Sequence, residues 1–217
     1  MKLRSAKPQR LLLQTIDTLL ANPNARVLDV GAGSVVEKNR RAGQLALADK
    51  YELLVRQRGY IGLDVEPGAN VMLVADAHAL PIANASLDGV IMVSVLEHLY
   101  DPIRAVNEVA RVLKRGGLYF SYAPFYHPYH ASPHDYFRFT REGYLSLLRE
   151  FSKVEIVSGG NYIAVANDLG AYAFGGSRGG RALARVLVEF PLSLFFRAFD
   201  SRGTNDIAVG FAALAVR

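Results

Sequence analysis

Residues 27–33 read Val27-Leu28-Asp29-Val30-Gly31-Ala32-Gly33, an apolar run that ends in a glycine turn. The run predicts a buried strand, and the stretch that follows it predicts a helix. Gly31 lets the chain turn sharply, and Gly33 lets the backbone approach a ligand without an intervening Cβ. The pattern therefore predicts an α/β sheet with a nucleotide-sized ligand at the carboxyl end of its first strand.

The third glycine of the dinucleotide-binding fingerprint G-x-G-x-x-G is absent, because Val36 stands at its position. In that fingerprint the glycines bring a helix N-terminus close to a pyrophosphate. The departure favours a nucleoside ligand without phosphates, and it argues against a nicotinamide-dependent oxidoreductase.

Four more motifs follow the glycine turn in the chain. The five are Val27–Gly33 (VLDVGAG), Tyr60–Asp64 (YIGLD), Ala75–Pro81 (ADAHALP), Leu87–His98 (LDGVIMVSVLEH) and Leu113–Gly117 (LKRGG). In this order they resemble the class I S-adenosylmethionine-dependent methyltransferases, type 11 branch, over roughly residues 25–160. The resemblance implies a Rossmann-like class I methyltransferase fold: a seven-stranded, mostly parallel sheet with an antiparallel edge hairpin and a helical insert before the last strand.

The composition is that of one globular domain, which we expect to span residues 1–217. There is no cysteine, and no segment reaches the ~18 uninterrupted apolar residues of a membrane span. Because no long apolar run follows the basic N-terminus, we expect cytoplasmic residence. The net charge of +5 can favour an anionic partner, but the arginines are scattered, which disfavours nucleic acid.

Hydrophobic periodicity and turn signals predict the elements of the sheet and its helices. The predicted strands are 26–30, 60–64, 71–75, 87–93, 118–122, 153–158 and 206–216, and the predicted helices are 8–21, about 36–58, 102–115 and 141 to about 151. Asp101 and Thr140 are expected to cap the last two helices. Ile103 and Leu113 are expected on the core stripe of the third helix, which Gly116-Gly117 would end.

S-adenosylmethionine is the cofactor that the resemblance implies. Asp64 lies at the end of the second strand, where a carboxylate can accept hydrogen bonds from both ribose hydroxyls; the alternative is a turn aspartate before Glu66. Asp29 would be costly to bury without partners, so we expect it to order the glycine turn and the methionine ammonium. The full cofactor-binding set is Asp29, Gly31, Ala32, Gly33, Asp64, Val65, Asp76, Ala77 and Ser94.

Three of the five histidines lie in one short loop after the fifth strand, which in the family faces the acceptor. A hydroxyl acceptor benefits from a general base, and histidine suits that role near neutral pH. The predicted catalytic residues are His130 and His134 as base candidates and Asp135 as their orienter, and the predicted acceptor-binding residues are His98, His127, Tyr136 and Arg138. The alternative is a rigid Pro-rich loop whose polar side chains satisfy the backbone.

No metal is predicted. The spacing His127-x-x-His130-x-x-x-His134, together with Asp135, could ligate zinc, but on an extended loop this spacing is weak evidence.

The insert, about residues 162–204, carries two apolar helical stripes within 181–199. It is interpreted as a cap on the sheet or a homodimer contact. The alternative is a helix pair that docks peripherally on the inner membrane face, where a lipid-linked acceptor would be presented.

The leading hypothesis is an S-adenosylmethionine-dependent methyltransferase acting on oxygen of a small-molecule, glycan or lipid-linked acceptor. The stretch Pro128–Thr140 resembles a subgroup often associated with bacterial surface-glycan pathways. The alternative is a non-catalytic cofactor-binding or scaffold protein of the same fold. The intact Gly31, Gly33, Asp64 and Asp76 argue against that alternative.

Overall fold

The structure is a computed structural model that describes residues 6–33, 45–131, 133–160 and 208–217, with isolated positions between 161 and 207. The beginning of the predicted second helix and nearly all of the predicted insert lie outside the described residues. The contact predicted through 181–199 therefore stays a prediction.

The described strands form one seven-stranded sheet in the order β3-β2-β1-β4-β5-β7-β6. The strands are β1 Val27–Val30, β2 Tyr60–Asp64, β3 Leu73–Val74, β4 Leu87–Val93, β5 Leu113–Pro124, β6 Lys153–Gly159 and β7 Gly210–Val216. The first five pair in parallel, and β7 runs antiparallel to both β5 and β6. The predicted fold class, with its antiparallel edge hairpin, is confirmed.

The apolar core lies on both faces of this sheet, because successive side chains of a strand point to opposite faces. The described helices are α1 Ala6–Leu20, α2 Leu45–Val55, α3 Pro102–Val112 and α4 Arg141–Leu147, with a short 3₁₀ helix at Leu96–His98. Leu28 and Val30 of β1 pack in one cluster with α3 and α4, whereas Val27 packs in the other with α1 and α2. Burial on both faces fixes the register that brings the strand ends together.

Two predicted helix caps are confirmed. The carboxylate of Asp101 accepts a hydrogen bond from the Arg104 backbone N at 3.0 Å, with Pro102 at the first helical position. The hydroxyl of Thr140 accepts from Gly143 N, also at 3.0 Å. These local interactions fix the residues at which α3 and α4 begin.

The predicted end of α3 at Gly116-Gly117 is wrong. The helix ends at Val112, and Leu113 already has the extended backbone of β5 and pairs with Leu87. Gly116 instead takes a positive φ of 78° within the strand, where its N–H donates to Arg217 O at 2.9 Å. The predicted place of Ile103 in the core is also wrong, because it lies at the edge of the buried stripe and is 49% exposed.

Candidate functional site

A cavity of about 460 Å³ opens at the carboxyl ends of β1, β2 and β4. This volume lies within the range of small-molecule sites. Of the predicted site residues, those that line it are Gly31, Asp64, Val65, Asp76, Ala77, Ser94, His98, His130, His134 and Tyr136. The cavity therefore brings most of the predicted cofactor set and part of the predicted acceptor set together.

The glycine turn forms the floor of the cavity at the end of β1. Gly31 has a φ of 79°, and a Cβ built on it would lie 2.6 Å from Val95 Cγ2. Its N–H donates to Leu63 O at 2.8 Å, and the Ala32 N–H shares that acceptor at 3.2 Å. Ala32 and Gly33 stand behind Gly31 rather than among the residues that line the cavity.

Asp64 ends β2 beside this turn. Its Oδ2 lies 3.4 Å from Gly33 N, and its Oδ1 lies 3.4 Å from Glu66 N, both long hydrogen bonds. These weak contacts leave much of the carboxylate's capacity to accept hydrogen bonds for a ligand in the cavity.

Asp76 lies past β3 and is held by His78. Its Oδ1 accepts from the His78 backbone N at 2.9 Å and lies 2.6 Å from the ring Nδ1. Burial acts to raise the pKa of Asp76, but these two hydrogen bonds outweigh it and lower the pKa. His78 is buried and stacks on Tyr100, with ring centroids 4.0 Å apart. Asp76 is thus kept ionised beside the cavity.

Ser94 follows β4 with a φ of 57°, a left-handed conformation that is unusual for a residue other than glycine. Its N–H donates to Tyr122 O at 2.8 Å. Its hydroxyl is buried and has no hydrogen-bond partner among the described residues. A strained backbone and an unsatisfied polar atom at a cavity wall are features of ligand-binding positions.

Asp29 is placed differently from the other cofactor candidates. Its side chain is buried, accepts a hydrogen bond from the Tyr60 hydroxyl at 2.8 Å, and is not among the residues that line the cavity. Burial raises its pKa to about 7 against the opposing effect of the Tyr60 hydrogen bond. Its predicted influence on the methionine ammonium would have to pass through the glycine turn.

We expect Asp29→Asn to change how stability depends on pH. The pKa of Asp29 is about 7 in the folded chain against 3.8 ordinarily, so the wild type loses stability from this group as the pH rises from about 4 to 7. Asparagine does not titrate. At about 1.4 kcal/mol per pKa unit, the unfolding free energy of the variant relative to wild type should rise by up to about 4 kcal/mol over that range and stay level above it. Urea denaturation at several pH values measures this, and a pH-independent difference would contradict it.

The histidine loop after β5 brings only some of its predicted residues to the cavity. His130, His134 and Tyr136 line it, whereas His127, Asp135 and Arg138 do not. The Tyr136 N–H donates to the Glu97 backbone O at 2.8 Å, which ties the loop to the 3₁₀ helix after β4.

Arg138 holds the loop in shape. Its guanidinium pairs with both carboxylate oxygens of Asp135, at 2.5 and 2.7 Å, and donates to the backbone O atoms of His127, Pro128 and Phe137. The Arg138 hydrogen bonds lower the pKa of Asp135 well below its usual range, although partial burial opposes them. This arrangement fits the structural alternative for Asp135 and Arg138, and their predicted roles toward a base and an acceptor stay predictions.

Glu97 is a residue that the sequence analysis did not select. Its carboxylate is fully buried and lies 3.7 Å from His130 Nε2 and 3.9 Å from His98 Nε2. The Glu97 carboxylate raises the pKa of His130, while burial acts to lower it. The sequence signal was the pair Glu97-His98, which begins four residues past the end of the buried strand β4.

The charges around the cavity suit a cationic cofactor. Two carboxylates, Asp64 and Asp76, line it, and no lysine or arginine is among the described residues that do. The sulfonium and ammonium groups of S-adenosylmethionine are positively charged, so this lining fits them electrostatically. The Ser94 hydroxyl supplies a further unsatisfied polar atom at the same wall.

Comparison with known proteins gives the same class. The type 11 family model described as a methyltransferase domain matches residues 28–121. An O-methyltransferase of Pyrenophora dematioidea is 30% identical over 118 residues, which are 50% of this chain and 42% of that protein. The chain spans less than half the length of the curated relatives it matches.

Two solved structures share the fold. A SAM-dependent methyltransferase from Archaeoglobus fulgidus has a TM-score of 0.54 and 17% identity, covering 96% of this chain and 94% of that one. The [4+2]-cyclase SpnF has a TM-score of 0.53 and 20% identity, covering 96% and 81%. These two proteins are named for different reactions, so the fold alone does not determine the chemistry.

The sheet order and the strand-end cavity agree with the fold of class I S-adenosylmethionine-dependent methyltransferases, and residues 28–121 match a methyltransferase-domain model. Over residues 28–121 the chain is similar to the type 11 methyltransferases, and a solved structure that shares its fold is named a SAM-dependent methyltransferase.

Proposed function

We propose that the chain acts as a single methyltransferase domain that methylates an oxygen of a small-molecule, glycan or lipid-linked acceptor with the help of a histidine. The observation that carries the proposal is one cavity in which the carboxylates of the cofactor side meet the histidines of the loop after β5. The similarity to a protein named O-methyltransferase supports oxygen as the acceptor atom.

The cofactor side would be held by residues at three strand ends. Asp64 and Val65 would contact the ribose, Asp76 and Ala77 the adenine, and Ser94 the methionine end. When bound, S-adenosylmethionine supplies a sulfonium methyl group: the acceptor oxygen forms the new C–O bond, and the C–S electron pair leaves with the sulfur. The chain's part is to align the acceptor with that methyl group and to exclude water.

His134 is the proposed base of this reaction. Its side chain is exposed and lines the cavity, where a ring nitrogen can take the hydroxyl proton of the acceptor. His130 is less suited, because its Nδ1 faces Pro128 O at 3.1 Å and its Nε2 faces the buried Glu97. The structure thus gives different surroundings to two histidines that the sequence could not tell apart.

The rim of the cavity supports an acceptor with apolar or sugar-like faces. Tyr136 lines it and is 48% exposed, so its ring is available for stacking; Tyr100 also lines it, but one face of its ring already stacks on His78. Arg138, one of the predicted acceptor-binding residues, forms its hydrogen bonds within its own loop.

Peripheral membrane contact or dimerisation through 181–199 belongs to the same proposal. Four apolar side chains described in that stretch are exposed: Leu183, Val186, Leu187 and Phe190. Among the described residues, no helix is long and apolar enough to cross a membrane.

The test combines cofactor binding with methyl transfer. Calorimetry should show binding of S-adenosylmethionine and S-adenosylhomocysteine but not of NAD. Tritiated S-adenosylmethionine, incubated with the protein and a panel of phenols, glycans and lipid-linked sugars, should then label an acceptor in an ether linkage. Tight binding of NAD alone would refute the proposal, and cofactor binding with no transfer to any acceptor class or native extract would favour a scaffold.

A further inference from the structure

The carboxylate of Glu97 is fully buried, and neither of its oxygens has a hydrogen-bond partner among the described residues. Burying an unpaired carboxylate is costly, so such a group normally has a counter-charge. Arg138, the arginine of the same loop, forms its ion pair with Asp135. The position of Glu97 therefore calls for a proton, on the carboxylate or on a neighbouring histidine, or for a cation from outside the chain.

Two histidines surround this carboxylate. Three possible ligand atoms, one from each of Glu97, His98 and His130, lie within 4.8 Å of one another. The two distances from Glu97 Oε1, 3.7 and 3.9 Å to the Nε2 atoms, are too long for direct hydrogen bonds. They are close to the ~3.3–3.6 Å that separates two ligands of one tetrahedral zinc ion.

The contacts of the two Nδ1 atoms indicate which nitrogen of each histidine ring carries the proton. His98 Nδ1 lies 2.5 Å from His134 O, and His130 Nδ1 lies 3.1 Å from Pro128 O. A carbonyl oxygen only accepts, so in its shorter contact each Nδ1 is the donor; the Arg138 guanidinium lies farther from His130 Nδ1, at 3.4 Å. With Nδ1 protonated, each ring in its neutral form keeps a lone pair on Nε2. His130 Nε2 is itself buried without a hydrogen-bond partner. Lone pairs of three side chains thus converge, and each histidine has a carbonyl behind it, as in metal-binding histidines.

We propose that Glu97, His98 and His130 bind a divalent transition-metal ion such as Zn²⁺. Two imidazoles and one carboxylate suit such an ion better than Mg²⁺ or Ca²⁺, which prefer oxygen ligands. Both histidines line the cavity, so the remaining coordination positions face the acceptor side. The role of the metal rests on the proposed function: it would polarise the acceptor hydroxyl whose proton His134 removes. The binding of the metal does not rest on it.

The experiment measures metal binding without cofactor or acceptor. Protein stripped with a chelator is titrated with Zn²⁺ by calorimetry, and bound metal is counted by mass spectrometry after dialysis. One ion per chain is expected. Glu97→Gln, His98→Asn and His130→Asn should each weaken binding by roughly 100-fold or more. Glu142→Gln changes an exposed carboxylate of α4 outside the set and should bind as wild type does.

Co²⁺ gives a second readout, because its visible absorption reports nitrogen and oxygen ligation at the bound ion. His98→Asn should abolish this absorption. This variant keeps the proposal testable if Glu97→Gln or His130→Asn fails to fold. No stoichiometric binding, or equal loss in Glu142→Gln, would overturn the proposal and leave a proton shared between Glu97 and a histidine. Because neither S-adenosylmethionine nor acceptor is present, this failure would leave the proposed methyl transfer untouched.

Discussion

Asp64→Ala should raise the dissociation constants of S-adenosylmethionine and S-adenosylhomocysteine by roughly 10²–10⁴-fold. The carboxylate ends β2 at the cavity, and its hydrogen bonds to the described residues are two long ones of 3.4 Å. Two charge-assisted hydrogen bonds to ribose hydroxyls would therefore be lost, at roughly 1.5–3 kcal/mol each. Isothermal titration calorimetry with both ligands measures the change.

The matched control is Glu66→Ala, which removes a carboxylate from the same turn that does not line the cavity. It should keep both dissociation constants within a few-fold. Thermal unfolding of the two variants separates a lost contact from a damaged fold. If Asp64→Ala binds both ligands as the wild type does, Asp64 is a turn residue only.

The fold could be predicted because its signals are local. The run Val27–Val30 alternates between the two core clusters, and the caps at Asp101 and Thr140 involve residues only three positions away. The end of α3 could not be located in this way. Gly116-Gly117 is a local stop signal, but pairing of Leu113 with Leu87 in the sheet ends the helix earlier.

The cofactor side of the site was also within reach of the sequence, because parallel strands end at one edge of the sheet. Four of the predicted residues lie at or just past the end of a strand and line the cavity: Gly31, Asp64, Asp76 and Ser94. Asp29 differs since its partner, Tyr60, is supplied by the neighbouring strand. No spacing rule within one strand reveals such a partner.

The acceptor side depends on how an irregular loop folds back, which periodicity does not encode. The sequence indicated which polar residues the loop carries, but it did not indicate which residues they contact. Asp135 pairs with Arg138, and the buried carboxylate near His130 is that of Glu97, 33 positions earlier in the sequence. These tertiary pairings separate His130 from His134 and make the two histidines testable one at a time.

His134→Ala should lower single-turnover methyl transfer by roughly 10²–10⁴-fold, the usual loss for a missing general base, with cofactor affinity within a few-fold. His134 lines the cavity beside Tyr136, at the acceptor side. Rapid-quench assays with the acceptor found by tritium labelling measure the rate, and calorimetry measures cofactor binding. Added imidazole should restore part of the rate, which a purely structural role would not allow.

The control is Tyr129→Ala, which changes a 76% exposed residue of the same loop that does not line the cavity. It should keep the wild-type rate. An unchanged rate in His134→Ala would mean that positioning alone carries the reaction, and a large loss of cofactor affinity would place His134 on the cofactor side.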